Sequence, residues 1–341
     1  ADNSQSSLKT EFPLWQAPLP FQLIGAELSG KITALGGLGL IRVAEYYHLD
    51  DLERETNAYK RHAPRPAYCF AHRLPQVQWG EALPNAAIKN VHSRFNRTID
   101  QTHSASFNEL LDYALEQDPL IIGFLHGLPD REVVEKIREM RIPTFAVAHS
   151  VLEALVADEF HIDIIVLQGL EAGGERAFFT NDLPHQPQPA LSLLQQVRPL
   201  VKKELVLWGD FTEGADVIAA LVSGATAVML DRPFVACAEA GLPEVDRQRV
   251  IHANETESTI SVAYTARPLR CLRDDFSVAG AERAEALYSQ LHKKPLAVAL
   301  SPIRDPENVE KLIKRCESAA GLTAPLPGRV VIDDMNYRVE D

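Results

Sequence analysis

The sequence is poor in cysteine, carries no excess of basic residues and lacks long apolar runs. Four cysteines occur among 341 residues and none belongs to a CxxC pair, so the pattern indicates no disulfide framework, zinc ribbon or dithiol redox motif. No run approaches the roughly eighteen apolar residues of a membrane-spanning helix. The net charge of −13, from 34 Lys and Arg against 47 Asp and Glu, argues against nucleic-acid binding, which normally requires a basic surface.

What is present is the composition of a soluble globular protein, with 46% hydrophobic and 24% charged residues. Scattered single cysteines are typical of buried thiols in a reducing compartment, so we expect a cytoplasmic protein. Ala1–Thr10 is polar and has no apolar run of the signal-peptide kind, and we expect residues 1–11 to form a flexible leader. The length fits two average domains, or one α/β barrel with an appendage.

Short apolar runs alternate with amphipathic helical patterns along most of the chain. Continuously apolar runs are typical of parallel strands that are covered on both faces. Eight runs are predicted to be strands: Leu14–Leu19, Leu38–Ala44, Ala67–Leu74, Leu120–Leu125, Thr144–His149, Asp163–Gln168, Glu204–Gly209 and Ala227–Leu230. Helices are predicted at Asp50–Arg61, Asp130–Met140, Val151–Phe160, Ala190–Val201 and Gly214–Ser223. This alternation predicts an α/β fold of the (β/α)8, or TIM-barrel, class.

A doubly wound open sheet is the competing fold, but it needs a glycine-rich turn after the first strand, where this chain has Pro18–Phe21. We expect the barrel to span residues 12–255 and residues 256–341 to form a mainly helical extension. Helices in that extension are predicted at Gly280–Lys294 and Asp305–Ser318. The insertions Pro75–Ser106 and Glu175–Pro189 follow strand ends, so they are expected over the carboxyl mouth of the barrel, where active sites lie.

Six segments in order carry a family resemblance from Pro13 to about Phe276: Pro13–Phe21 (PLWQAPLPF), Ala34–Leu40 (ALGGLGL), Gly123–Asp130 (GFLHGLPD), Gln168–Gly174 (QGLEAGG), Gly209–Phe234 and Arg267–Arg270 (RPLR). In these segments the chain resembles the nitronate monooxygenase family, also called 2-nitropropane dioxygenases, and Gln168–Gly174 is the most specific match. The resemblance implies an FMN-dependent barrel that acts as an oxidoreductase, a monooxygenase of nitronates or nitroalkanes.

The resemblance also implies which residues hold the cofactor. Glycines at a strand end free backbone amides and let the chain approach a ligand closely, and the loops after strands seven and eight of a barrel commonly bind phosphate. The predicted FMN-binding residues are Ala17, Pro18, Leu19, Gln168, Gly173, Gly174, Gly209, Asp210, Asp231 and Arg232. The phosphate is expected between Gly209-Asp210 and Asp231-Arg232. No metal site is part of this prediction.

One departure from the family lies at the predicted catalytic position. The residue after E-A-G-G is a histidine in the family, where it acts as the base, and here it is Glu175. A glutamate with its ordinary pKa near 4.3 is a weak base at pH 7, so catalysis by Glu175 requires that the site raise this pKa. We expect like charge from Glu171 and Asp210 and an apolar wall from Trp208 and Phe178.

A second departure lies at the phosphate. The family's double glycine after strand seven is Gly209-Asp210 here, and its glycine–threonine or glycine–serine pair after strand eight is Asp231-Arg232. Two carboxylates repel a phosphate by about 1–4 kcal/mol each at about 4 Å, which Arg232 would partly offset. Trp208 also replaces a small residue, and Phe70 stands near a position where the family often has asparagine. These departures leave open a cofactor-free barrel that serves as a binding or structural element.

Two further alternatives remain. A flavin-dependent enoyl-thioester reductase would take an acyl thioester on a carrier protein, and residues Lys89, His92, Arg94 and Arg97 would form a basic patch for that acidic partner. Polar residues at successive strand ends would alternatively bind a divalent metal; they are His72, His126, His149, Glu175, Asp210 and Asp231.

Overall fold

The fold is that of a computed structural model, which describes residues 8, 10–20, 23–74, 104–179, 187–261, 268–274, 277–278, 308–320, 330–333 and 336–339. Strands and helices alternate through the first two thirds of the chain. In order they are β1 (Leu14–Gln16), α1 (Ala26–Ala34), β2 (Ile41–Ala44), α2 (Leu49–Lys60), β3 (Ala67–Arg73), α3 (Phe107–Glu116), β4 (Ile121–His126), α4 (Arg131–Glu139), β5 (Thr144–Ala148), α5 (Val151–Glu159), β6 (Ile164–Gln168), β7 (Gly174–Glu175), α6 (Ala190–Val197), β8 (Glu204–Trp208), α7 (Gly214–Val222) and β9 (Ala227–Leu230).

The remaining described elements follow the last strand of that series. They are α8 (Arg232–Val235), α9 (Glu244–His252), β10 (Ser258–Ser261), β11 (Leu269–Leu272), α10 (Val309–Ala320), β12 (Val330–Asp333) and β13 (Asn336–Val339).

Eight parallel strands form one sheet in the order β1-β9-β8-β6-β5-β4-β3-β2. A parallel bridge between Trp15 and Leu38 joins the two edges of this sheet, and the amide of Gln16 donates to the carbonyl of Leu38 at 2.8 Å. The sheet is therefore closed into a barrel, with helices between consecutive strands as in the (β/α)8 fold. All eight predicted strands are confirmed, with ends that differ by a few residues.

Side chains from opposite strands fill the interior of the barrel. The rings of Trp15 on β1 and Phe145 on β5 meet edge to face with centroids 5.6 Å apart. Gly123 on β4 makes room for the second ring, because a Cβ there would lie 2.0 Å from the Cζ atom of Phe145. The interior is thus a packed core, and ligand chemistry is left to the loops at the carboxyl ends of the strands.

The five helices predicted between barrel strands are confirmed, with starts and ends that differ by at most four residues. Four further helices, α1, α3, α8 and α9, were not predicted. α3 begins at a capping box, in which the Ser106 hydroxyl accepts from the Glu109 amide at 3.3 Å while the Glu109 carboxylate accepts from the Ser106 amide at 2.8 Å. In the part of the chain that the structure describes, no helix is long and apolar enough to cross a membrane.

The C-terminal region contains both helix and strand. The predicted helix over Asp305–Ser318 is confirmed as α10, which packs on α7, whereas the helix predicted at Gly280–Lys294 lies outside the described residues. Strands β10 and β11, which were not predicted, form an antiparallel sheet with β7, and this sheet joins the extension to the loop that follows β6. β12 and β13 form a separate hairpin. The division at residue 255 stays a prediction.

Candidate active site

The segment after β6 wraps around its own arginine. The guanidinium of Arg176 is buried and donates from Nη1 to the carbonyl of Gly169 at 2.6 Å and from Nη2 to the carbonyl of Ala172. The carbonyls of Gly173 and Gly174 lie 3.4 Å from Nη2. Burial lowers the pKa of Arg176 to about 9, and the nearby charge of Arg270 acts in the same direction. The glycine-rich turn is therefore shaped around a cation of the protein itself.

Side chains of β6 and α5 and the backbone of β11 hold this segment across the barrel mouth. Gln168, at the end of β6, donates from Nε2 to the carbonyl of Glu175 at 2.9 Å and accepts from the amide of Ala177 at 2.9 Å. Glu153 on α5 accepts from the amide of Phe179 at 2.8 Å. From the other side, Leu269 of β11 pairs with Glu175. These contacts fix where the side chain of Glu175 can reach.

Glu175 lies in an ion cluster built from three barrel segments. Its Oε2 atom is 2.9 Å from Nη2 of Arg42 on β2 and 3.0 Å from Nε2 of His126 at the end of β4. The side chains of Arg42 and Glu175 are 12% and 14% exposed, so the pair is shielded but reachable by solvent. We call Arg42, His126 and Glu175 the mouth cluster.

The surroundings of Glu175 differ from the sequence-based expectation. Glu171 was expected to place like charge beside it, but the Glu171 carboxylate accepts from the Ala190 amide at 3.0 Å, at the start of α6. Phe178 was expected as an apolar wall, and its ring instead meets His149 edge to face at 4.2 Å. The guanidinium of Arg42, 2.9 Å from Oε2 of Glu175, therefore places opposite charge beside this side chain where like charge was expected.

Asp231 occupies the centre of the three loops that follow β6, β8 and β9. Its Oδ2 atom accepts from the amide of Gly173 at 2.8 Å and from the indole Nε1 of Trp208 at 3.0 Å. Its Oδ1 atom accepts from the amide of Arg232 at 2.5 Å. Asp231 and Trp208 are each 1% exposed. A single carboxylate thus receives three N–H donors from the loops where the phosphate was predicted.

Arginines around Asp231 are directed into the protein. Arg232 was expected to offset charge at a phosphate, yet its guanidinium is buried and donates to the carbonyls of Val250 (Nε, 2.8 Å) and Ala253 (Nη2, 2.6 Å). Arg270 donates to the carbonyl of Leu170 at 2.9 Å. Burial lowers the pKa of both Arg232 and Arg270, and the charges of Asp210 and Asp231 oppose that shift. The contact of Arg232 with a phosphate stays a prediction that this geometry does not support.

The other predicted cofactor residues lie around the same loops. The amide of Ala17 donates to the carbonyl of Leu230 at 2.8 Å, which places the buried Ala17–Leu19 turn beside β9. Gly174 has φ +83, and a Cβ there would lie 3.1 Å from Cδ2 of Leu19. Gly209 is packed closely, since a Cβ on it would lie 2.9 Å from the ring of Phe211. The structure therefore groups these residues, while their role in binding FMN stays a prediction.

The three histidines at strand ends do not converge. His126 joins the mouth cluster, whereas His149 pairs through Nδ1 with Glu153 at 2.5 Å. His72 packs against the rings of Phe70 and Phe107, and neither of its ring nitrogens has a hydrogen-bond partner among the described residues. Burial lowers its pKa to about 4. Within the described ranges no group of three or more His, Cys, Asp or Glu side chains is arranged to hold a metal ion.

Sequence reasoning missed two residues of this site. Arg42 interrupts the apolar run of β2, and Arg176 follows Glu175 in a segment, Gly173–Phe179, whose other residues are small or apolar. A charge in a segment that must be buried requires a partner, and that requirement is the signal that could have identified both residues.

A closed (β/α)8 barrel with a buried polar cluster at its carboxyl mouth is the class of protein that the fold and site define. A model of the family "Nitronate monooxygenase" matches residues 3–314, and the chain belongs to this family. It is 26% identical over 279 residues to a probable nitronate monooxygenase of Staphylococcus saprophyticus, covering 79% of this chain and 78% of the relative. It is 28% identical over 289 residues to the nitronate monooxygenase of Paraburkholderia phytofirmans, covering 79% and 76%.

Solved structures agree on the fold. The nitroalkane oxidase of Streptomyces ansochromogenes superposes with a TM-score of 0.73 at 21% identity, covering 92% of this chain and 97% of the other. At that identity the likeness shows the fold alone, and the site must be judged on its own residues.

Proposed function

We propose that the chain is an oxidoreductase that acts on nitronates, small planar anions. The mouth cluster is the observation that carries this proposal. It places the guanidinium of Arg42 within 2.9 Å of Glu175, directly after the segment that matches the family most specifically. A guanidinium presents two parallel N–H donors, which suit the paired oxygens of a nitro or nitronate group. Arg42 would bind and orient this group, and His126 would hold the cluster together.

The cluster favours nitronates over neutral nitroalkanes. A neutral nitroalkane must first lose a proton from the carbon beside its nitro group, and Glu175 is the side chain placed to accept it. The cation of Arg42 makes Glu175 a weak base, because protonation would break a favourable ion pair. A nitronate has already lost this proton. Its negative charge is attracted by Arg42, and its reaction does not require Glu175 to accept a proton.

The cofactor that the family resemblance implies is FMN, which would supply the redox chemistry. The residues at the predicted phosphate position do not fit a phosphate. The amide of Gly173 already donates to the carboxylate of Asp231 at 2.8 Å, and the guanidinium of Arg232 already donates to the carbonyls of Val250 and Ala253. We therefore propose a flavin as the cofactor, bound without a phosphate contact to Asp231 or Arg232.

A second candidate is a cofactor-free barrel that binds its ligand without redox chemistry. It is favoured by the carboxylate of Asp231, which accepts the N–H donors of Gly173, Trp208 and Arg232 at the predicted phosphate position. Flavin content separates the two candidates: the purified protein, with and without added FMN or riboflavin, is examined for flavin absorbance and for oxygen uptake on adding propyl-2-nitronate. Bound flavin with nitronate-dependent uptake supports the oxidoreductase. Protein that takes up no flavin and consumes no oxygen supports the second candidate.

The variant Arg42→Gln tests the residue that carries the proposal. We expect the KM for the nitronate to rise about tenfold or more, as for the loss of a charged hydrogen bond to an anion. Arg65→Gln is the matched control, because Arg65 is an exposed arginine paired with Asp118. Unchanged nitronate kinetics in Arg42→Gln would contradict the binding role.

Two remaining expectations stay proposals. An acyl thioester on a carrier protein would use the patch Lys89, His92, Arg94 and Arg97, which lies outside the described residues. The four cysteines are buried and free, a state that fits the reducing cytoplasm in which we propose the protein works.

A further inference from the structure

We infer that the carboxylate of Asp231 occupies the anion position of this barrel, so that it replaces the phosphate of a ligand and excludes it. The inference is independent of nitronate oxidation. It concerns which ligands the loops after β6, β8 and β9 accept, and it predicts that flavin binding gains no affinity from the phosphate of FMN.

The position of Asp231 in the barrel is that of an anion site. In (β/α)8 barrels the loops after the last two barrel strands commonly bind phosphate through backbone amides. Here those strands are β8, which ends at Trp208, and β9, which ends at Leu230, and Asp231 is the first residue after β9 and contacts Trp208. An anion at this place would take the N–H donors that point into it. Asp231 already takes three of them, from Gly173, Trp208 and Arg232.

The volume around Asp231 is already filled by side chains. Asp231 and Trp208 are 1% exposed, and both are held by the bond between indole Nε1 and Oδ2. The side chains therefore fill the volume in which a phosphate would meet the same donors. A phosphate enters only if the carboxylate leaves, and a carboxylate that accepts three buried donors leaves at a large cost.

The charged side chains around Asp231 also oppose the binding of a phosphate. Arg176, Arg232 and Arg270 are the cations that act on this region, and each is influenced electrostatically by Asp231. The guanidinium groups also donate to backbone carbonyls, including those of Gly169, Val250 and Leu170. Four acids act on these cations in turn, namely Asp210, Asp231, Glu171 and Glu257. A phosphate dianion added beside these carboxylates meets like charge at short range, which is unfavourable.

The experiment compares FMN with riboflavin, which differ only in the phosphate. Binding of each flavin is measured by quenching of flavin fluorescence in the wild type, Asp231→Gly and Asp231→Ser. We expect wild type to bind FMN no more tightly than riboflavin. Removal of the carboxylate should tighten FMN binding at least about tenfold and change riboflavin binding less than about threefold, because only the phosphate gains the vacated donors. Thermal unfolding with inorganic phosphate provides a readout free of flavin, and phosphate should stabilise the variants but not wild type, relative to chloride of equal ionic strength.

Asp163→Asn is the matched control. Asp163 accepts from the amide and the hydroxyl of Thr144, at 2.9 and 3.0 Å, at the amino end of β5, away from the mouth, and asparagine there removes the charge while keeping an acceptor oxygen. Wild type that binds FMN tenfold more tightly than riboflavin, or that is stabilised by phosphate beyond chloride, overturns the inference. So do folded Asp231 variants that gain neither FMN nor phosphate affinity. If neither variant folds, the wild-type measurements decide. Absent nitronate turnover defeats only the proposed function.

Discussion

Arg176 donates from Nη1 to the carbonyl of Gly169 at 2.6 Å, so the turn after β6 closes around a side chain that lies seven residues further along the chain. The same guanidinium donates to Ala172. Carbonyls in a buried turn need donors, and a buried cation needs acceptors. Here the guanidinium supplies the donors and the carbonyls supply the acceptors, so the conformation of the Gln168–Gly174 segment depends on Arg176.

Replacing this arginine should destabilise the fold. In Arg176→Met the buried carbonyl of Ala172 loses its donor, at about 1–3 kcal/mol for an unsatisfied group, whereas the carbonyl of Gly169 keeps the amide of Ala172 at 3.2 Å. We expect the free energy of unfolding in urea to fall by about 1–3 kcal/mol. Arg131→Met is the control, since Arg131 is an exposed arginine paired with Glu159 at 2.7 Å, and pairs of that kind contribute about 0–1 kcal/mol. Equal losses in the two variants would show that the buried contacts add nothing.

Gly169 should tolerate no side chain. A Cβ on Gly169 would lie 2.3 Å from Oε2 of Glu171 and 2.5 Å from the amide nitrogen of Ala190. Gly169→Ala should therefore push Glu171 from the start of α6 and lower the free energy of unfolding by about 1–3 kcal/mol, as overpacking does. Gly25→Ala is the control, because a Cβ on Gly25 meets nothing within 4 Å. Urea unfolding of both variants measures the difference, and a loss in Gly25→Ala as large as in Gly169→Ala would contradict the steric argument.

The barrel could be predicted because each buried strand leaves a continuous apolar run in the sequence. Helix ends were less certain, and α3 was missed although Ser106 and Glu109 carry the signature of a capping box. The position of Glu175 in the chain was identified, but its partners were not. Arg42 is 133 residues away in sequence, and only closure of the barrel brings the two together. Asp231 was identified as a departure from the family, whereas its three donors depend on loop geometry that no spacing encodes.

His72 should make stability depend on pH. Burial lowers the pKa of His72 to about 4, while an unfolded histidine has a pKa near 6.5. Between these values the unfolded chain binds a proton that the folded chain does not, so stability falls as pH decreases from about 6.5 to 4 and is constant above that range. Between pH 7 and pH 5 the loss should be about 2 kcal/mol.

His72→Phe should remove this loss, because a phenyl ring keeps the contacts with Phe70 and Phe107 and binds no proton. The check is urea unfolding at pH 5 and pH 7. His252→Phe is the comparison, since that histidine is exposed near the end of α9. A variant at position 72 that loses as much stability at pH 5 as wild type would show that the acid sensitivity arises elsewhere.

Glu175→Gln should separate the two forms of the substrate. Glutamine keeps a polar contact with Arg42 and His126 but accepts no proton, so removal of the carbon-bound proton from a neutral nitroalkane loses its base. General bases contribute about 100-fold or more, and we expect turnover of the neutral nitroalkane to fall by about that factor. Turnover of the preformed nitronate should change less than about fivefold, and its KM should not rise, because Arg42 retains its charge and no longer faces a carboxylate.

The measurement is steady-state oxygen uptake with each form in the presence of added flavin. Glu27→Gln, which alters an exposed ion pair with Arg61, should leave both rates unchanged. Equal losses on the two forms would make Glu175 a residue that positions Arg42, and no loss on either would remove it from the reaction.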